Sequence, residues 1–132
     1  MPLKISLKPG EKFAINGAVI ANGDKRASLV LQNQAAILRE RDIIQADQVN
    51  TPLKRIYFPI QMMYLDEGSE PKYYGEFKDR LEEFMDVVNR PEIISLCVKI
   101  NKDVANKDYY GALKTCRSMF ELEEQMLQVN AG

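Results

Sequence analysis

The feature that most constrains this fold is the stretch from Leu3 to Ile44, where apolar and polar residues alternate between closely spaced turn signals. Leu3, Ile5 and Leu7 alternate with Lys4, Ser6 and Lys8, so a first strand buries one face and exposes the other. Pro9-Gly10 turns the chain into a second strand, Lys12 to Ile15. Asn16-Gly17 then marks a type I′ hairpin, because both residues tolerate positive φ, and Ala18 to Ala21 returns as strand three. After Asn22-Gly23-Asp24, Arg26 to Gln32 forms a fourth strand, with Leu29 and Leu31 on the face opposite Ser28 and Val30. Ala36 to Leu38 is a fifth. Turns at this spacing are the signature of a small antiparallel barrel or sandwich. A β module of about 44 residues buries too little surface to stand alone, so either helices cap it or two copies associate.

Beyond Thr51 the period changes to that of helices. Thr51-Pro52 reads as an N-cap followed by Pro at the first helical position, and Leu53, Ile56, Tyr57, Ile60 and Tyr64 follow at helical spacing. Pro59 falls inside this pattern and predicts a kink or a split. Asp66 to Ser69 is a loop, and Pro71 opens a second helix. Its stripe of Tyr73, Tyr74, Phe77, Leu81, Phe84, Met85 and Val88 is expected to be core. A third helix opens at Arg90-Pro91, with Ile93, Ile94, Cys97, Ile100 and Val104 as its apolar face. Asp108 caps a fourth, through Ala112, Leu113, Cys116 and Phe120 to Met126 and Leu127. The expected class is therefore α+β: a small N-terminal antiparallel β-barrel or sandwich of about five strands, then a bundle of about four helices. The division expected is a basic β module at 1–48 and an acidic helical lobe at 49–132.

Charge follows the same division. Residues 1–55 carry a net +4 and residues 56–132 a net −5. A basic lobe on an acidic one suits an anionic partner on one side only. Apolar runs are too short to span a bilayer, and no signal-peptide core precedes Pro9, so a cytoplasmic location is expected. Cys97 and Cys116 lack CxxC spacing and read as reduced core thiols.

Little in the chain points to catalysis. It has no histidine, which removes the commonest general base and metal ligand, and it lacks the GxxxxGK[ST], GxGxxG and GxSxG motifs. The paired carboxylates Glu82-Glu83 and Glu123-Glu124 sit on charged helix faces. The chain reads as a non-enzyme that needs no cofactor and no metal. Its distinctive chemistry is a set of cations on a β scaffold: Lys8, Lys12, Lys25, Arg26, Arg39 and Arg41. Such a set suits RNA, with phosphates and unstacked base edges taken by guanidinium and ammonium groups. Phe13 is the only aromatic in the module and is expected in its core, so recognition should use cations and backbone groups rather than stacking.

The run MPLKISLKPGEKFAINGAVIANGDKRASLVLQNQAAILRERDI, with TPLKRIYFPIQMMYLDE after it, closely resembles the FlbT family of flagellar biosynthesis repressors of alphaproteobacteria. LKPGEKF, NGAV, NGD and LRERDI carry the resemblance most specifically. It implies a post-transcriptional regulator that associates with the 5′ untranslated region of flagellin mRNA and promotes its degradation, working alongside FlaF. In some members of that family the effect on flagellar genes is positive. A weaker likeness, in Lys8-Pro9-Gly10-Glu11 and Leu38-Arg39-Glu40, is to the carbon storage regulator CsrA. It implies an RNA surface made by Arg39 and the first strand across an intertwined dimer. Leu7 stands where that family has a cation, which shifts the contact toward Lys25, Arg26 and Arg41. The partners expected are a flagellin mRNA leader and a second copy in a homodimer. An alternative is an interaction module whose acidic helical lobe docks FlaF or a flagellin without direct RNA binding.

Overall fold

The fold comes from a computed structural model that describes the backbone of residues 3–131 and side chains from Leu3 through Gln125. Met126 and Leu127, expected on the apolar face of the last helix, have side chains outside the described residues. The chain separates into two compact units, one of residues 1–43 with 65–67, the other of residues 44–64 with 68–132.

The first unit is built from five short strands: β1 (Leu3–Leu7), β2 (Lys12–Ile15), β3 (Ala18–Ala21), β4 (Ala27–Leu31) and β5 (Ile37–Arg39). They form two antiparallel sheets, β1–β4 and β3–β2–β5, so the arrangement is a sandwich of two sheets and not a closed barrel. Closure would require the edges β1 and β4 to pair with the edges β3 and β5, and the two pairs of edges lie in different sheets. The register of β1 on β4, Leu3 opposite Leu31 through Leu7 opposite Ala27, gathers Leu3, Ile5, Leu7, Leu29 and Leu31 on one face. Ile5 and Leu7 meet Phe13 in a small core, with Ile15, Leu31 and Ile37 packed at its margin. The hairpin expected at Asn16-Gly17 is present, with φ of 50° and 89°, the left-handed pair a type I′ turn requires. Asn16 also binds the start of the last strand, because its N–H donates to Ala36 O (2.9 Å) and its Oδ1 accepts from Ala36 N–H (3.0 Å). β5 runs one residue later than the sequence pattern suggests, which brings Arg39 into the strand opposite Phe13.

The second unit is helical. It comprises α1 (Pro52–Leu65, whose last residue groups with the first unit), α2 (Glu70–Val87), α3 (Pro91–Ala105), α4 (Tyr109–Ser118) and α5 (Phe120–Ala131). Two short 3-10 turns, Glu40–Asp42 and Ala46–Gln48, precede α1 in the chain and have no signal in the apolar pattern. The expected caps are present: Thr51 Oγ1 accepts from Lys54 N–H (3.2 Å) and Asp108 Oδ1 from Gly111 N–H (3.0 Å). α1 continues through Pro59 as one helix, which rules out the split. The proline ring is fully buried, so packing offsets the backbone hydrogen bond it forfeits. The single fourth helix expected from Asp108 onward is divided at Met119 into α4 and α5. A buried carboxylate ties α5 to the start of α1, Glu123 Oε2 accepting from Leu53 N–H at 2.8 Å. Gln61, also buried, holds both backbone groups of Ile44, its Oε1 accepting from the N–H (2.8 Å) and its Nε2 donating to the carbonyl (3.0 Å).

The aromatic stripe of α2 departs from expectation. Phe77 and Leu81 are buried, Tyr73, Phe84, Met85 and Val88 are half-buried, and Tyr74 is exposed. Helical periodicity identifies a face without showing how far other elements cover it.

Candidate nucleic-acid interface

Two turns meet at one end of the β unit. In the first, Lys8-Pro9-Gly10-Glu11, Glu11 N–H donates to Lys8 O (3.1 Å) and Gly10 has a φ of 73°, the geometry of a type II turn with Pro and Gly at its centre. The second is the loop Asn22 to Arg26 between β3 and β4. Backbone bonds join them, Gly10 N–H to Gly23 O (2.9 Å) and Asn22 N–H to Glu11 O (2.8 Å). Asn22 completes the join, because its Nδ2 donates to Lys8 O (2.8 Å) and to Lys25 O (2.9 Å). One side-chain amide therefore holds the backbone of two of the sequence-nominated cations.

Lys8, Lys12, Lys25 and Arg26 are all exposed, and these contacts bring them to the same end of the unit. Lys12 opens β2 directly opposite Ala21, the residue before Asn22. Arg41 is exposed too, on the 3-10 turn that follows β5. Its Nε lies 3.9 Å from Asp42 Oδ1, at the outer limit of an ion pair.

Arg39 differs from the other five. Its Nη2 donates to Ser6 O on β1 (2.6 Å) and to Glu11 Oε2 (3.0 Å), and its Nε donates to the same carboxylate oxygen (3.3 Å). Glu11 Oε1 meanwhile accepts from Lys8 N–H at 2.9 Å. The Lys8 N–H and then the Arg39 guanidinium hold the Glu11 carboxyl below its ordinary pKa. Arg39 thus clasps the β1–β4 sheet to the β2–β5 sheet, with Nε and Nη2 engaged in that clasp. Leu7, the residue occupying the place of a cation in the weaker likeness, is 2% exposed and belongs to the core.

Sequence reasoning missed Glu11 and Asn22. Both sit in turns whose residues already explain the chain reversal, and their contacts join positions up to 28 residues apart. Elsewhere, Cys97 and Cys116 are free and buried, and burial pushes the Cys97 thiol up to about 11 and that of Cys116 well above its ordinary value. Among the described residues no group of three or more histidine, cysteine or acidic side chains is placed to hold a metal ion. No described helix is long and apolar enough to cross a membrane.

Fold and site together define a two-unit α+β protein with a pinned cluster of cations on its β unit. The chain belongs to the FlbT family: the model for "Flagellar protein FlbT" matches residues 3–127. It is 56% identical over 133 residues to the flagellum biosynthesis repressor protein FlbT of Caulobacter vibrioides, covering all of this chain and 94% of that one. The probable flagellum biosynthesis repressors FlbT of Caulobacter sp. strain K31 and Rhodopseudomonas palustris are 54% and 35% identical, each over 96% of this chain and 97% and 98% of their own lengths. No solved structure matches.

Proposed function

We propose that this chain is a cytoplasmic repressor of flagellum biosynthesis that associates with the 5′ leader of flagellin mRNA and promotes its degradation, with the turn cluster of the β unit as its RNA contact. Membership of a family whose curated relatives are named flagellum biosynthesis repressors supports the regulatory role. The observation that carries the RNA reading is the gathering of Lys8, Lys12, Lys25 and Arg26 around Asn22. Exposed ammonium and guanidinium groups held on a fixed backbone neutralise phosphates at small conformational cost, and displaced counterions make such binding strongly salt-dependent. Arg41 extends the contact, while Arg39 positions the first turn through Glu11.

This assignment changes which variants are informative. Reversing the charge of Arg39 places a carboxylate against Glu11 and disrupts the sheet clasp, so loss of binding there does not locate RNA. Changing Lys12, Lys25, Arg26 and Arg41 to Gln leaves the clasp intact. Fluorescence anisotropy with a flagellin leader RNA is expected to show markedly weaker binding and a shallower salt dependence for this variant, with unchanged circular dichroism. Equal affinity of the variant and the natural chain excludes this site.

A second reading, a docking module for FlaF or a flagellin, is favoured by Tyr74, Val87, Val98 and Tyr110, large apolar side chains exposed on the acidic helical unit. Stoichiometric co-purification of such a protein, with no RNA bound at physiological salt, selects that reading over the first.

A further inference from the structure

Among the described residues, strand β3 is a sheet edge with no strand beyond it. Its only neighbour is β2, and all four of its residues are exposed, Val19 at 68% and Ile20 at 42%. Apart from its shortness it has no guard of an edge strand: Ala18-Val19-Ile20-Ala21 contains no charge, no proline and no bulge.

The register shows which backbone groups the edge offers. Asn22 N–H donates to Glu11 O, so the pair Glu11/Asn22 is hydrogen-bonded. Alternation along an antiparallel ladder then makes Phe13/Ile20 and Ile15/Ala18 bonded pairs, with Lys12/Ala21 and Ala14/Val19 non-bonded. Val19 and Ala21 therefore turn their N–H and C=O groups away from β2, toward open solvent. The Ile20 side chain shares the sheet face of Phe13 and is exposed there.

The two ends of β3 carry opposite charge. At its C-terminal end lie the exposed Lys12, Lys25 and Arg26, which outnumber the exposed Asp24 of the same loop. At its N-terminal end is the Asn16-Gly17 hairpin, where Gly17 neighbours the Leu65 carbonyl, an added Cβ standing 3.4 Å from Leu65 O in ordinary contact. Asp66 and Glu67, both exposed and part of the same unit, follow Leu65 directly. An acidic end and a basic end on one neutral apolar strand suit a second copy running antiparallel, because each end then meets its opposite.

We infer that β3 pairs with β3 of a second copy of this chain about a two-fold axis passing between the two Ile20 residues. Val19 of each copy exchanges hydrogen bonds with Ala21 of the other, the one antiparallel register in which all the bonded residues lie within β3. The result is a continuous six-stranded sheet, β5–β2–β3 joined to β3–β2–β5. Ile20 stands opposite Ile20 as a non-bonded pair, with Cα atoms about 4.5 Å apart. The pairing sets the Lys25 and Arg26 end of each copy beside the Asp66 and Glu67 end of the other, at opposite ends of the shared strand pair.

Ile20→Cys tests the axis directly. A separation of about 4.5 Å lies within disulfide range, and the two native cysteines are buried. Mild oxidation is expected to convert the full-length variant to a covalent dimer on a non-reducing gel. Val30→Cys, an exposed position on β4, is expected to stay largely uncrosslinked. By sedimentation velocity at tens of micromolar the natural chain should run as a dimer that weakens with salt, and Ile20→Lys as a monomer. A monomeric natural chain overturns the inference. So does a dimer in which Ile20→Cys fails to crosslink, or crosslinks no better than Val30→Cys, since association then uses another surface. If Ile20→Lys does not fold, the cysteine pair alone decides.

Discussion

Asn22→Ala separates the geometry of the cation cluster from its charge. The side-chain amide donates to Lys8 O at 2.8 Å and to Lys25 O at 2.9 Å, and truncation deletes both bonds. Both carbonyls are exposed, so water replaces the lost donor and the cost is the net value of two hydrogen bonds, about 1–2 kcal/mol at about 0.5–1 kcal/mol each. The backbone bonds between the turns remain, so the loss is local loosening. No charge is removed. The number of phosphates neutralised, and with it the slope of log affinity against log salt, should be unchanged, whereas Lys25→Gln should reduce that slope by about 1. At about 1.4 kcal/mol per decade, a 1–2 kcal/mol loosening limits the affinity loss to roughly 5- to 30-fold. Urea unfolding followed by circular dichroism gives the stability change, and anisotropy with leader RNA from about 50 to 200 mM salt gives affinity and slope. A changed slope, or a loss well beyond this limit, would refute the claim that Asn22 acts by holding the two turns in place.

Three further perturbations test other contacts. Glu123→Ala removes the charged acceptor of Leu53 N–H and leaves that buried donor unpaired, which should cost about 2–4 kcal/mol, whereas Glu123→Gln keeps an acceptor and should cost about 1 kcal/mol; equal losses in urea titrations would contradict the assignment. The Glu11 carboxyl is held below its ordinary pKa, so its contribution is present above about 4.3 and lost as pH falls through the lower folded value; the stability difference between the natural chain and Glu11→Gln should therefore shrink below about pH 4. With its thiol raised to about 11 and the side chain buried, Cys97 should resist a thiol reagent at pH 8 until denaturant is added, and rapid native labelling would show that α3 opens readily.

What the sequence disclosed follows the range of the interactions. The Asn16-Gly17 hairpin, the Thr51 and Asp108 caps and the alternation of β1 depend on neighbours a few residues apart, and each was legible. The sheet partition was not, because β1 finds β4 between positions 20 to 28 residues apart while adjacent β3 and β4 stay unpaired. Alternation fixes which face of a strand is apolar but not which strand lies beside it. For the same reason Arg39 and Lys25 looked alike as cations, although one is spent on Glu11 and Ser6 and the other is exposed. The apolar stripe of α2 was legible as a face, and its incomplete cover was not. β3 reads as an ordinary strand, and its exposure follows from the lack of a strand beyond it among the described residues.

The central claim is that RNA contacts the turn cluster of the β unit. Ultraviolet crosslinking of the full chain to a flagellin leader RNA, followed by mapping of the crosslinked peptides, tests the ligand class and its location together. Crosslinks are expected on peptides spanning Lys8 to Lys12 and Asn22 to Arg26, competed by unlabelled leader and lost at high salt. Crosslinks confined to residues 68–125, or none above the level of an unrelated RNA, would contradict it.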